Sequence, residues 1–204
     1  MTEALFTPAG IGRLLALTLR SPAAAAEILV GLNLSRAVLW QAMALVTIVS
    51  VLIVAISPGP MPEAGAVAGP EPVLLTPFAY AAILGASLVM LVFALHYTGQ
   101  AIGGTGGFGA TLTLVVWLEV LATAIRVVQA VVLLVVPPLA GVVSLVGLAV
   151  LFWTLVNFVN VLHGFQSLGR ALLALLLAVV GISLGLALIL SLIGAGLPGG
   201  AMDV

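Results

Sequence analysis

The 204-residue chain contains no cysteine and no lysine. Without cysteine, disulfides, thiolate chemistry and cysteine metal sites are excluded. Without lysine, arginine is the only strong base, and no basic tract exists to track nucleic acid or bind anionic lipid by charge alone. Nucleic acid is therefore excluded as a partner. Charge of either sign is scarce: five bases and six acids, 5% of the residues, for a net charge of −1. A soluble domain is roughly a quarter charged and about half apolar. Here 64% of residues are hydrophobic and the mean hydropathy is +1.43. So little polar material cannot cover a water-facing surface. Composition alone makes this an integral membrane protein, and the Ala, Val, Leu, Gly and Arg bias fits a GC-rich bacterial genome.

The first residues, MTEALFTPAGIGRLLALTLRSP, do not read as a cleaved signal peptide. Such a peptide needs a basic start and an unbroken apolar run of about 7–15 residues; here Glu3 precedes any base, and Arg13 and Arg20 bracket the short run LLALTL. Pro8 and Ser21–Pro22 mark helix starts. Two short amphipathic helices, near 8–20 and 22–32, are expected to lie along the membrane interface within a cytoplasmic segment 1–35. Arg13, Arg20 and Glu27 recur every seven residues and so fall on one side, leaving Leu14, Leu17 and Ile28 to enter lipid.

A transmembrane helix needs about 20 apolar residues. Four segments qualify directly: 36–56, 77–101, 139–163 and 171–196. A fifth, 110–136, qualifies if Glu119 and Arg126 are accepted inside it. The expected fold is an all-α polytopic bundle of five spans over 36–196, with a short tail at 197–204. The connectors carry turn chemistry, and Pro137–Pro138 reads as a tight inter-helix turn. Five spans put Arg13, Arg20, Arg36 and Arg170 on one side, with Glu63, Glu71 and Asp203 on the other. By the positive-inside rule the arginine side is cytoplasmic, which places the C-terminus in the periplasm of a bacterial inner membrane. The spans do not divide into two matching halves, which argues against an inverted-repeat transporter.

Within this apolar chain, WLEVLATAIRVVQ places Glu119 and Arg126 seven residues apart, on one helix face, with Thr123 between them and Gln129 continuing the stripe. A charge near mid-membrane costs at least about 2.5–3.5 kcal/mol on insertion scales, so the stripe faces protein or trapped water. Depth matching nominates His96 and Asn157 as its neighbours in an inner seam, with Asn160 added by the face it shares with Asn157. Three roles are open to that seam: gluing helices, carrying protons or ions, or meeting a partner membrane protein. His96 and His163 fall near cytoplasmic span ends and are too few for a metal site, which needs three or four ligands; no cofactor is expected. The loop GGTGGFG, Gly103 to Gly109, lacks the Gly-Lys-Ser/Thr ending of a phosphate loop and reads as a flexible hairpin. Gly181 and Gly185 form a small-xxx-small pair that permits close helix approach, within the chain or between chains. No Gly-x-Ser-x-Gly elbow, HExxH motif or pair of catalytic carboxylates is expected.

Two stretches carry a family resemblance: RSPAAAAEILVGLNLSRAVLW before and into span one, and WTLVNFVNVLHGFQSLGRALLALLLAVVG around the last loop. Together they resemble the bacterial branch of the Yip1 domain family, five-span proteins with cytoplasmic N-termini. In such proteins a short polar loop with a serine and a base, here His163 to Ala171, links the last two spans. Eukaryotic members are associated with trafficking, Rab GTPase binding and membrane shaping. This sequence carries no Asp-Leu-Tyr-Gly-Pro signature, so GTPase binding is not carried over. For bacterial members the resemblance implies a fold more than an activity; the expectation is a non-enzymatic protein working through contacts with the lipid bilayer, another membrane protein or its own copies. The alternative is a small transporter or channel that uses the Glu119/Arg126 seam.

Overall fold

The computed structural model describes residues 7–57 and 75–196; Glu63, Glu71, Asp203 and the expected tail 197–204 lie outside the described residues. Among those described, the α-helices are α1 (Pro8–Arg20), α2 (Pro22–Gly31), α3 (Arg36–Ile56), α4 (Pro77–Ala101), α5 (Phe108–Val135), α6 (Ala140–His163) and α7 (Leu168–Gly196). The helices α3 to α7 are each long and apolar enough to cross a membrane. Local chemistry sets their starts. Thr7, Ser35 and Thr76 each accept a backbone N–H of the first turn, from Gly10, Val38 and Ala79, and Pro8, Pro22 and Pro77 occupy first-turn positions where no amide donor is needed. The expected Ser21 cap is different: its side chain makes no capping hydrogen bond. Pro137–Pro138 begins a single 3₁₀ turn, Pro137–Leu139, that joins α5 to α6.

The α3 helix packs chiefly on α5, α5 on α6, and α4 on α7. The main core draws on all five spans, with Leu39, Val92, Leu112, Val115 and Val159 among its buried members. The last span is held by small residues: Ala171, Ala174 and Ala178 are each 2% exposed or less. They recur at three- and four-residue spacing on one face and let the backbones approach. Among the described residues Gly181 and Gly185 meet no such neighbour. Both are exposed, and a Cβ on either would meet nothing within 4 Å. The outer face carries Leu145, Leu148, Leu176 and Leu184, all at least 64% exposed. That surface suits hydrocarbon rather than water.

Part of the apolar face of the N-terminal segment, expected to enter lipid, packs on the spans instead. Leu14, Ala25, Ala26 and Leu29 are buried against Leu114, Phe158 and Leu162 of α5 and α6, so Leu14 meets protein rather than lipid. The break at Ser21–Pro22 also separates Arg20 from Glu27, so the seven-residue spacing does not run along one helix. Arg13, Arg20 and Glu27 are nonetheless all exposed, and so is Ile28. The alanine run makes this hairpin flat enough to lie close on the spans. One buried polar contact pins it: Trp117 Nε1 donates to Thr18 Oγ1 at 2.9 Å, and Thr18 in turn donates to the Leu14 carbonyl. Trp117→Phe is expected to lower stability by about 1 kcal/mol, the net worth of one such bond. Faster tryptic cleavage after Arg20 in detergent would report the loosened hairpin; unchanged cleavage would contradict the pin.

Candidate functional site

Spans α3 and α5 run parallel, because one span lies between them in the chain. Equal distances from their starts therefore mean equal depth. Ser50 of α3 and Thr123 of α5 share one level, and there they meet. Around them the charged pair closes. Arg126 Nη1 lies 2.6 Å from Glu119 Oε1 and 3.0 Å from Ser50 Oγ, to which it donates. Ser50 Oγ donates to Glu119 Oε1 at 2.6 Å. Thr123 Oγ1 donates to the Glu119 carbonyl at 2.8 Å and also meets Ser50 Oγ. Glu119 is 5% exposed and Ser50 fully buried.

The side chain of Glu119 thus has both a counter-ion and a hydroxyl donor on the same oxygen. A buried charge survives only when paired and hydrogen-bonded in this way. Sequence reasoning missed Ser50, which lay unmarked in the apolar run VTIVSVLIV. Matching its depth to Thr123 across two parallel spans is the signal that finds it.

The other expected members of the seam lie elsewhere. Gln129 donates to Ser144 at 2.6 Å and ties α5 to α6. Asn157 turns back on its own helix, to the Trp153 carbonyl. Asn160 organises the α6–α7 loop: its carbonyl accepts from Phe165 N–H, and its side-chain oxygen accepts from Ser167 N–H. Gly164 makes that turn with φ 63°, in the left-handed region glycine tolerates. His96 packs edge-on against Phe108, and among the described residues its buried Nδ1 has no hydrogen-bond partner.

His163 is 2% exposed, far more enclosed than an interfacial residue, and its Nε2 lies 3.1 Å from the Leu95 carbonyl. Gly99 in the last turn of α4 and the glycine loop that follows explain the enclosure. A Cβ on Gly99 would lie 2.0 Å from His163 Nε2, and one on Gly104 would lie 2.5 Å from Nδ1. Thr105 N–H also bonds the His163 carbonyl. The loop expected to be a flexible hairpin is instead a collar around the imidazole.

Residues 181–185 read GISLG, so the letters of a Gly-x-Ser-x-Gly pattern are present after all. The nucleophile elbow is a sharp strand-to-helix turn, whereas these residues lie inside α7. Among the described residues no group of three or more His, Cys, Asp or Glu could hold a metal ion.

The model of the Yip1 domain family matches residues 16–193. The chain belongs to the Yip1 domain family. No curated protein and no solved structure matches it. The match runs from within α1 to the late part of α7, so the closed cluster, the histidine collar and the Asn160 loop all fall inside the Yip1 domain. The HGFQSLGR loop that carried the resemblance is the turn that Asn160 folds.

Proposed function

We propose that this Yip1 domain protein is non-enzymatic and acts by contact, with lipids or with other membrane proteins, its own copies included, as an organiser, scaffold or accessory subunit. The closure of the charged cluster carries this reading. A proton or ion path needs polar groups in succession across the bilayer, lining a cavity. Among the described residues the polar groups fall into separate sets instead. Glu119, Arg126, Ser50 and Thr123 bond one another; Gln129 and Ser144 form a second set; His163 bonds the backbone of α4 at Leu95, and Asn160 is tied into the α6–α7 loop. On this reading the charges fasten α3 to α5, and function lies on the outer surface. Purification from the native membrane in mild detergent tests the proposal. A specific membrane protein or lipid class should come with the chain in fixed proportion. Elution as a bare monomer with only bulk lipid would count against it.

The same proposal places the chain in a bacterial inner membrane with its N-terminus in the cytoplasm. Arg13, Arg20, Arg36 and Arg170 are all exposed. Arg36 lies 5.7 Å over the Phe108 ring, beside the collar loop that bonds His163, so the starts of α3, α5 and α7 share one end. Because the native chain has no thiol, Ser167→Cys gives a single label site. It should stay unmodified by a membrane-impermeant maleimide in intact cells and react after lysis. Labelling in intact cells would invert the orientation.

A further inference from the structure

Beneath the N-terminal hairpin a cavity of about 320 Å³ opens between α1, α2, α3 and α5. We infer that it holds one acyl chain of a cytoplasmic-leaflet lipid. This deepens the contact reading by naming a lipid site, and it rests on that reading only for the chain's place in the membrane.

Three observations converge on that occupant. The first is chemistry. The walls are apolar side chains such as Leu14, Leu29, Leu39 and Val116, and the hydroxyls present are those of Thr113 and Thr123. Both are already spent on their own helix, on the carbonyls of Gly109 and Glu119. Their oxygens can still accept, but they lie ten residues or about 15 Å apart along α5, so no single water finds the two to four polar partners it needs there.

The second is size. An apolar cavity of about 150 Å³ stays dry and takes up benzene; this one takes roughly twice as many carbons. Its wall on α5 runs from Thr113 to Thr123, ten residues or about 15 Å. That is half of the roughly 30 Å hydrocarbon core, the depth of one leaflet.

The third is access. Leu45 and Val49 line the cavity and are also 63% and 39% exposed on the outer face of α3, next to the exposed Ile48 and Leu52. The cavity is therefore continuous with the surface that the bilayer covers. Leu14 and Leu29 of the hairpin form its cytoplasmic wall, so an acyl chain slides in sideways. Its far end then rests near Thr123, beside the Glu119–Arg126 pair. Lipid occupancy thereby contacts the fastening between α3 and α5.

The test uses the full chain in vesicles of phosphatidylethanolamine and phosphatidylglycerol, with a small fraction of a phospholipid carrying a diazirine on one acyl chain. After irradiation, labelled residues are mapped by mass spectrometry. Labelling of the cavity residues of α3 and α5 should exceed that at lipid-facing Leu148 by about tenfold, a preference of roughly 1.4 kcal/mol. Ala42→Phe, which fills the interior, and Val49→Phe, which blocks the mouth, should each abolish the excess and leave Leu148 labelling unchanged. Cavity labelling no stronger than at Leu148 in the wild-type chain would overturn the inference, whether or not either variant folds. So would an excess that survives Val49→Phe in a monodisperse preparation. A photoreactive residue at position 49 that links two chains would assign the cavity to a second copy instead. Failure here leaves the contact reading standing, because co-purification of a protein partner does not depend on this cavity.

Discussion

Arg126→Leu is expected to destabilise the protein by about 3–5 kcal/mol, the usual result of removing one member of a buried pair. The loss comes from what stays behind: Glu119, 5% exposed, loses its counter-ion and keeps only Ser50 as its side-chain donor, so a buried carboxyl is left without a charge partner. The reverse variant, Glu119→Leu, should be milder. The Arg126 side chain is 26% exposed and long enough to swing its head away from the core. Replacing both with leucine removes the charges together and can be nearly neutral. The predicted order of folded yield in detergent is therefore wild type and the double variant highest, Glu119→Leu next, Arg126→Leu lowest. Equal yields across the series would mean that the pair is solvated, and the closed cluster would have to be abandoned.

The collar provides the second large effect. Gly99→Ala places a methyl group 2.0 Å from His163 Nε2, so the imidazole has to leave its niche and its hydrogen bond to Leu95. Overpacking of this kind costs typically about 1–3 kcal/mol, and the lost bond adds about 1 kcal/mol. A thermal-unfolding series in detergent measures it. The collision is between two named groups, so His163→Ala in the Gly99→Ala background should restore much of the loss by making room. If the second change only adds to the damage, the close approach of Gly99 and His163 is not what the glycine serves.

What could be read from the sequence divides along physical lines. Hydropathy and turn residues carry the spans, because a helix in hydrocarbon must be apolar for its whole length. The structure adds the caps that set the span starts at Arg36 and Pro77, Ser35 and Thr76 just before them. Glu119 and Arg126 were legible as a pair because both sit on one helix, where seven-residue spacing fixes the face. The partners on other helices were not. Depth can be counted along a sequence, but the direction in which each helix turns its face cannot. His96 and Asn157 were placed near the pair by depth, and Asn160 by the face it shares with Asn157, yet His96 packs on Phe108, Asn157 bonds its own helix backbone and Asn160 folds the α6–α7 loop. Ser50 has the right depth and the right face, and among so many apolar neighbours it carried no mark of its own. The surface that Leu14 meets was misassigned for a related reason. Amphipathic spacing shows that Leu14 needs an apolar surface but does not say whether lipid or protein supplies it.

The central claim is that the Glu119–Arg126 cluster fastens helices rather than conducting. Proteoliposomes holding the purified chain, loaded with a pH-sensitive dye and given an imposed proton or cation gradient, test it directly. The gradient should decay at the rate of protein-free vesicles, and Glu119→Gln should leave that rate unchanged. Faster decay with the wild-type chain, abolished by Glu119→Gln in a variant that still elutes as a folded species, would show that the cluster is a pathway and contradict the account.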